Sequence, residues 1–284
     1  MAEGQSLTVA RHRGVYGDPR PCGLDQIALP PAPMPARHGL RPLKAWRYVG
    51  VFSPDLMLCL GTVRIGRARQ SFWAVWDRRR QVLLQRTRTG DGGLELAPGR
   101  ASLRDREVAV DLSLREGAGI ETVCPSGADY AWTRKQGAVA ASGVVAVKDG
   151  PVYELDARAV IDDTAAYYER HTRWYWSAGV GTATDGRELA WNLVEGVNDP
   201  VSGSERTIWV DGHPTEAPPV AFSPDLDRVG ELHFAAEASR ERTENLLIIR
   251  SRYRQPFGTF SGVLPGGPTV AEGYGVMEEH DVWW

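Results

Sequence analysis

The feature that most constrains this chain is a long series of short β-prone segments separated by turn signals. Between Ala45 and Met277, about sixteen segments rich in Val, Ile, Trp, Tyr and Thr recur at intervals of roughly 8–12 residues, which is the pattern of an all-β protein. Asp149-Gly150, Asp185-Gly186 and Asp211-Gly212 each supply a residue pair that tolerates positive φ at such a turn. The sequence therefore predicts an all-β fold built from antiparallel strands.

The number of strands exceeds what one small barrel needs, so two halves of similar strand content are expected. We expect a Pro-rich extended N-terminal lead-in over residues 1–42, a first β-barrel half over 43–148 and a second over 149–284. Seven of the 19 prolines lie in residues 19–42, and proline donates no backbone hydrogen bond, so the lead-in is not expected to be a packed element. One short helix is predicted at Asp162–His171, where acidic residues open a polar segment.

Composition argues against several classes of protein. The 284 residues are 42% hydrophobic and 24% charged, which is enough apolar material for a folded core. The net charge of −3 argues against a nucleic-acid partner, because duplex binders usually have a basic balance. No run approaches the ~20 apolar residues of a membrane span, and no signal peptide is evident, so a cytoplasmic protein is expected. The three scattered cysteines fit neither a disulfide framework nor a zinc site, and no cofactor or metal is predicted.

The ten tryptophans are more than an ordinary core of this size needs. Strand alternation along Arg173–Thr182 places Trp174 and Trp176 on one face, and Glu188–Glu195 carries Trp191 in the same way. Both faces of these two strands are largely apolar, so the strands are expected to lie between two barrels. A barrel of about eight strands can hold a small ligand, so the indoles either fill a core or line a large aromatic pocket.

Two polar clusters could serve such a pocket. Alternation puts Arg250, Arg252 and Arg254 on one strand face, where they need carboxylate partners or an anionic ligand. The last seven residues end in two tryptophans and are expected to dock against the rest of the chain. Docking would bring Glu278 or His280 into a cavity, where loss of water raises a carboxyl pKa towards neutrality and creates a general acid. Ion pairing at the surface is the alternative for both clusters.

Several strings together identify a family resemblance: Trp46–Asp55 (WRYVGVFSPD), Thr172–Gly179 (TRWYWSAG), Ile208–Gly212 (IWVDG), Leu247–Ser251 (LIIRS), Gln255–Gly262 (QPFGTFSG) and Tyr274–His280 (YGVMEEH). Over roughly residues 40–284 the chain resembles a bacterial family known as domain of unknown function 2804, whose name carries no activity. More distantly it is similar to two-barrel lipocalin-like proteins, which include carotenoid hydratases, tocopherol cyclases and some Diels–Alder cyclases. The resemblance implies two lipocalin-like (calycin-type) antiparallel β-barrel halves packed together, with a hydrophobic small molecule bound between or within them. No catalytic residue of those proteins is carried over to this chain.

Three functions remain open. The first is a cofactor-independent hydratase, cyclase or isomerase acting on an isoprenoid, polyketide or lipid, in which indoles stabilise developing positive charge while a shielded acid protonates an alkene. The second is a non-catalytic lipocalin-like carrier, and the third is a structural module without ligand. The candidate catalytic residues are Glu195, Glu244, Glu278 and His280, and the candidate ligand-binding residues are Arg173, Trp174, Trp176, Trp191, Asn192, Arg250 and Gln255.

Overall fold

A computed structural model describes residues 9–246 and 249–284. Nearly every element in this part of the chain is a β-strand, and the strands form two large curled antiparallel sheets and one small hairpin. The helical element among the described residues is a 3₁₀ turn, Leu24–Gln26, and none of the described helices has the length and hydropathy to cross a membrane. The all-β prediction is confirmed. Residues 1–8 of the predicted lead-in and the first two residues of the predicted LIIRS motif lie outside the described residues.

In chain order the strands are β1 (His12–Val15), β2 (Arg37–His38), β3 (Arg41–Pro42), β4 (Lys44–Phe52), β5 (Leu56–Ile65), β6 (Ala68–Asp77), β7 (Val82–Thr89), β8 (Leu94–Ala97), β9 (Arg100–Arg104), β10 (Val108–Arg115), β11 (Ile120–Ser126), β12 (Asp129–Val147), β13 (Val152–Ala166), β14 (His171–Ala183), β15 (Glu188–Glu195), β16 (Thr207–Val210), β17 (His213–Glu216), β18 (Arg228–Val229), β19 (Leu232–Leu246), β20 (Ile249–Val263) and β21 (Thr269–Trp283).

Strands β1 and β4–β13 form the first sheet, in which neighbouring strands run β7-β6-β5-β4-β13-β12-β10-β9-β8. The long strand β12 pairs with two strands along the same edge: its first part pairs with β11 and its last part with β10. A bulge between Gln136 and Val139 separates the two parts, and Ala138 has a positive φ of 54° there. The bulge bends β12 and so helps the sheet to curl.

The first sheet curls around its own apolar core. Strand β10 alternates buried and exposed residues along its whole length, so its valines and leucines all point into that core. The opening between the sheet's two ends is bridged by side chains: Arg86 on β7 lies 2.8 Å from Asp105, in the turn that precedes β10. Hydrophobic alternation and the ion pairs of Arg86 and Arg88 on β7 therefore close the first barrel.

Strands β14–β21 form the second sheet, in the order β17-β16-β15-β14-β21-β20-β19-β18. Trp191 lies fully buried inside this barrel, where its Nε1 donates to the Ser177 hydroxyl at 3.1 Å. Ser177 lies on the face of β14 that points into the second barrel. Trp174 and Trp176 lie on the other face of β14 and pack with residues of the first barrel, among them Tyr48. Strand β14 is therefore buried on both faces, as the alternation of its sequence predicts.

The predicted helix at Asp162–His171 is wrong, because its first five residues belong to β13. Asp162 forms an ion pair with Lys135 on β12 at 2.7 Å, and Asp163 forms one with Arg47 on β4 at 2.7 Å. The two aspartates that suggest the start of a helix therefore form ion pairs with the strands on either side of β13. The short polar segment therefore stays extended between two hydrogen-bonded neighbours.

The proline-rich segment packs more closely than its composition predicts. Leu24, Leu29 and Met34 are buried against the outer side of β11, β12 and β13. The hydroxyl groups of Tyr130 and Tyr167 donate to backbone carbonyls of this segment, at 3.0 and 2.8 Å, and satisfy acceptors that no strand partner reaches. The two tyrosine hydroxyls therefore supply the hydrogen bonds that a neighbouring strand supplies elsewhere in the sheet.

The change from one sheet to the other lies between Ala166 and His171. The predicted division at residues 148 and 149 instead falls in the turn that joins β12 to β13, and both of those strands belong to the first sheet. Strand β13 also pairs with β4, which places it in the middle of the first barrel.

Gly179 on β14 provides a test of packing inside the second barrel. A Cβ added there would lie 2.2 Å from Cζ2 of Trp191, so Gly179→Ala must displace the buried indole. We expect the free energy of unfolding to fall by about 1–3 kcal/mol through overpacking, measured by urea denaturation. Gly117→Ala is the control, since no heavy atom lies within 4 Å of its added Cβ, and its stability should stay within about 0.5 kcal/mol of the parent. Equal stability of the two variants would contradict this packing.

Candidate active site

A cavity of about 150 Å³ lies in the seam between the two barrels. Strands β4 and β13 of the first barrel and β14, β19, β20 and β21 of the second supply most of its walls. About half of the lining residues are buried, and the others, among them Val63, Ile65 and Trp284, are half-buried. The cavity is therefore partly enclosed and partly open to solvent.

Aromatic rings form the apolar walls of the cavity. The rings of Trp46 and Trp174 are nearly parallel, with an angle of 8° between them and 6.2 Å between their centroids. Tyr48 meets Trp176 edge to face at 5.2 Å and lies 6.4 Å from the ring of Phe72. Aromatic faces carry negative potential, so these walls can attract a positive charge as well as apolar groups.

The carboxyl group of Glu278, on β21, accepts three hydrogen bonds at the wall of the cavity. It is 8% exposed. Trp174 Nε1 donates to Oε1, while the Tyr253 hydroxyl and Gln255 Nε2 both donate to Oε2, each at 2.9 Å. Because Oε2 already accepts two hydrogen bonds and Oε1 accepts one, Oε1 has the remaining position for a proton.

Burial raises the pKa of Glu278 to about 7. The hydrogen bonds from Trp174 and Tyr253 and the nearby charge of Arg240 favour the carboxylate, but they offset the loss of water only in part. At neutral pH both the acid and its conjugate base are therefore populated. A group with this property is suited to donating and recovering a proton in one catalytic cycle.

His280 lies two residues further along β21, on the same face as Glu278. Its Nε2 is 2.8 Å from the Ser251 hydroxyl, and its ring centroid is 4.4 Å from that of Trp174. Burial, aided by the charge of Arg240, lowers the pKa of His280 to about 3. The imidazole is therefore neutral at pH 7 and is not an acid in the way that Glu278 is.

A second polar cluster lines the same cavity. Lys135 Nζ lies 2.7 Å from Asp162 and 3.3 Å from Glu205. Asn198 donates to Glu205 at 3.1 Å and to the Tyr168 hydroxyl at 2.7 Å. Burial raises the pKa of Glu205, and the charge of Lys135 opposes this shift. In the chain as described, neither this cluster nor any other set of His, Cys, Asp and Glu side chains is arranged to hold a metal ion.

Five of the residues singled out in the sequence line the cavity: Glu244, Glu278, His280, Trp174 and Trp176. Glu244 lies on its more exposed side and accepts a hydrogen bond from Arg242 at 2.5 Å. Two further candidates lie directly behind the walls. Gln255 donates to Glu278, and Asn192 accepts a hydrogen bond from Trp176 Nε1 at 2.8 Å.

The other four candidates lie away from the cavity. Glu195 accepts a hydrogen bond from the backbone N–H of Phe222 at 2.8 Å, and Trp191 is inside the second barrel. Arg173 is exposed and pairs with Glu279, and Arg250 is exposed on β20. The arginine-bearing face of β20 is thus the face that points away from the cavity.

Sequence reasoning missed Arg240, Tyr48, Tyr253 and the cluster around Lys135. Strand alternation contains part of the signal, because Ser251 and Tyr253 alternate with the arginines on β20 and so share the opposite face. What alternation does not reveal is which strands of the two barrels face one another. That arrangement comes from long-range pairing.

This fold, with its seam cavity, defines a two-barrel protein of lipocalin-like architecture. The chain belongs to the family described as domain of unknown function (DUF2804), which matches residues 95–284. The family resemblance noted in the sequence is thereby confirmed. No match was found among curated protein sequences.

Among solved structures, the chain is similar to kievitone hydratase from Nectria haematococca, at 10% identity over 83% of this chain and 88% of that chain, with a TM-score of 0.53. A putative AttH from Nitrosomonas europaea matches at 14% identity over 94% of this chain and 98% of that chain, with a TM-score of 0.46. The protein CghA matches at 8% identity over 89% and 93%, also with a TM-score of 0.46. The likeness to the hydratase concerns the fold, and it confirms the two lipocalin-like barrels packed together.

The raised pKa of Glu278 makes the stability of the protein depend on pH. Its pKa is about 7, against 4.5 for the unperturbed group, so between these pH values the folded protein binds more protons than the unfolded chain. The stability that this group contributes is therefore fully present below pH 4.5 and falls as the pH rises through 7, by roughly 3 kcal/mol. We expect Glu278→Gln to lack this decline in urea unfolding across that window.

His280 acts in the opposite direction, so the comparison must be made between variant and parent at each pH. Its pKa is lowered from 6.5 to about 3, and the stability it contributes is lost as the pH falls through that range. Glu241→Gln, at an exposed carboxyl on β19, is the control and should show the parent's pH dependence. A constant stability difference between Glu278→Gln and parent across pH 4.5–7 would contradict the raised pKa.

Proposed function

We propose that the seam cavity binds the unsaturated part of a hydrophobic small molecule, such as an isoprenoid, a polyketide or a lipid, and that Glu278 protonates it. The observation that carries the proposal is the position of Glu278: a carboxyl group with a pKa of about 7, buried among indoles, with Oε1 available for a proton. The reaction class is acid-catalysed hydration, cyclisation or isomerisation without a cofactor.

The proposed reaction begins with transfer of the proton from Oε1 of Glu278 to an alkene carbon. The O–H bond breaks, a C–H bond forms, and the neighbouring carbon becomes cationic beside the faces of Trp174 and Trp176. Capture of the cation by water, followed by loss of a proton, gives hydration. Capture by a second double bond or a hydroxyl, followed by loss of a proton from the new cation, gives cyclisation, and direct loss of a neighbouring proton gives isomerisation. In each case the proton that is released restores the acid form of Glu278, so the cycle is balanced.

The size of the cavity supports entry of one part of a ligand. An apolar cavity of about 150 Å³ holds a molecule the size of benzene. A volume of about 150 Å³ in this seam therefore suits one ring or one branched alkene unit. The remainder of a longer ligand would extend past Val63 and Ile65, on the side near the surface.

The structural relatives support the same reaction class without deciding it. Kievitone hydratase has this fold and is named for the addition of water. The present chain has a buried acid and aromatic walls, which such a reaction requires. A carrier is the competing function, and it would bind the same ligands without changing them.

Deuterium incorporation tests the catalytic proposal. Ligands that co-purify with the protein are identified by untargeted mass spectrometry and are then incubated with it in D₂O, together with geraniol and farnesol. We expect carbon-bound deuterium in at least one of these compounds, and Glu278→Gln should slow its appearance by about 10²–10⁴-fold. Glu241→Gln, which removes an exposed carboxyl on β19, should change the rate less than about twofold.

The alternatives give different results in the same experiment. Ligands that quench tryptophan fluorescence but acquire no deuterium would identify a carrier. Incorporation at the same rate in Glu278→Gln and the parent would exclude Glu278 as the acid. Absence of any fluorescence change with all compounds would favour a structural module.

The pH profile gives a further test, because the acid form of Glu278 must be present. The specificity constant kcat/KM for deuteration should fall as the pH rises above about 7, where this carboxyl ionises. Tyr253→Phe removes a hydrogen bond that favours the carboxylate, so the pKa of Glu278 should rise and the decline should move to higher pH. An unchanged profile in Tyr253→Phe would argue that another group donates the proton.

A further inference from the structure

Arg240 places a buried positive charge at the cavity wall without a carboxylate partner. Its side chain on β19 is 5% exposed, and its Nη2 donates to the hydroxyl of Thr87 at 3.1 Å. Among residues 9–246 and 249–284, no Asp or Glu oxygen lies within 4.0 Å of its guanidinium nitrogens. A buried charge is costly unless it is paired, so this guanidinium has an unmet requirement for an anion.

The neighbouring arginines of the second barrel do have carboxylate partners. Arg242 pairs with Glu244 at 2.5 Å, and Arg254 lies 3.7 Å from Glu241. Glu278 does not take this place for Arg240, because a carboxyl with a pKa of about 7 is protonated in much of the protein at neutral pH. Within the described part of the chain, Arg240 is therefore a buried arginine at the cavity whose charge has no carboxylate partner.

Arg240 is also held in a fixed position. Its guanidinium lies 4.4 Å from the ring centroid of Phe72 and 4.7 Å from that of Tyr253, so that an aromatic ring from each barrel contacts it. Both rings attract a cation and restrict its movement. A positioned guanidinium loses little freedom on binding a ligand, which favours affinity.

A second polar group at the cavity lacks a partner. Tyr48 lines the cavity and is 5% exposed, and within residues 9–246 and 249–284 its buried hydroxyl has no hydrogen-bond partner. Burial raises the pKa of Tyr48 well above 10, so the hydroxyl keeps its proton and remains a donor. Tyr48 and Arg240 both contact Phe72, so a charged donor and a neutral donor lie on the same side of the cavity.

We infer that the ligand of this cavity carries a carboxylate, which binds the guanidinium of Arg240 and accepts a hydrogen bond from the hydroxyl of Tyr48. A carboxylate is planar and carries one charge, which matches one guanidinium. Its uncharged carbon chain would lie against the tryptophan walls. The inference rests on the proposed function in one respect only, namely that the cavity is a ligand site.

The proposed chemistry is consistent with a carboxylate at this position. A cation that forms next to an unpaired guanidinium is destabilised by repulsion between like charges. A ligand carboxylate on Arg240 cancels that repulsion before Glu278 gives up its proton. An alkenoic acid therefore suits the site better than the corresponding alcohol or hydrocarbon.

Geranate and geraniol provide the test, because they share a carbon chain and differ in the terminal group. Isothermal titration calorimetry near pH 6, where geranate is ionised and Glu278 keeps its proton, should show that the parent protein binds geranate about tenfold or more tightly than geraniol. Arg240→Met should weaken geranate binding by about tenfold or more and leave geraniol binding within about threefold. Arg240→Lys, which keeps the charge without the planar fork, should give an intermediate loss.

Arg254→Met is the matched control, because it removes the same charge from the adjacent strand β20, where Arg254 pairs with Glu241. It should bind geranate as the parent does. Equal affinity of the parent for both compounds, stronger binding of geraniol, or equal losses in Arg240→Met and Arg254→Met would overturn the inference. The parent comparison needs no variant, so it stands even if Arg240→Met fails to fold.

The outcome is separable from that of the proposed function. Selective binding of geranate without any deuterium incorporation would support the carboxylate site and contradict the acid catalyst. Deuterium incorporation into geraniol or farnesol, with no preference for binding geranate, would support the acid catalyst and contradict the carboxylate site. If neither compound binds, the inference is overturned together with the idea that the cavity is a ligand site.

Discussion

Burial of charged side chains in the seam between the barrels is the constraint on which the rest of this structure depends. The interiors of both barrels are filled by apolar side chains, whereas five buried ionisable groups line the cavity where the two barrels meet: Lys135, Asp162, Glu205, Arg240 and Glu278. Away from water, such groups either find partners or change their protonation. Lys135 and Asp162 form an ion pair, whereas Glu278, although it accepts three hydrogen bonds, also has a raised pKa.

The same constraint gives the aromatic residues two tasks. Trp174 packs against Trp46 across the seam and, through its indole N–H, also binds Glu278. Tyr253 contacts Arg240 with its ring and Glu278 with its hydroxyl. Aromatic side chains that present both an apolar body and a polar tip can exclude water and still satisfy a buried charge. This explains why so many of them lie at one place in the molecule.

The sequence predicted a good part of this arrangement. Turn spacing and alternation indicated the all-β fold, the two barrels and the shared face of Trp174 and Trp176. The polar composition near Asp162 misled, because a helix cap and a cross-strand ion pair use the same residues, and the partner Lys135 lies 27 positions earlier. Arg240 could not be recognised as unpaired, since absence of a partner is a property of the assembled seam.

Strand β21 is hydrogen-bonded on both sides, to β14 and to β20, and this has a consequence for how such a site can change during evolution. Replacement of one side chain in the cavity leaves the strand in place, so the chemistry of the pocket can vary position by position. Insertion or deletion of one residue within β21 is different, because it turns every following side chain to the other face. Glu278 and His280 would then exchange places with Met277 and Glu279. Related chains should therefore tolerate varied residues along this strand while conserving its length.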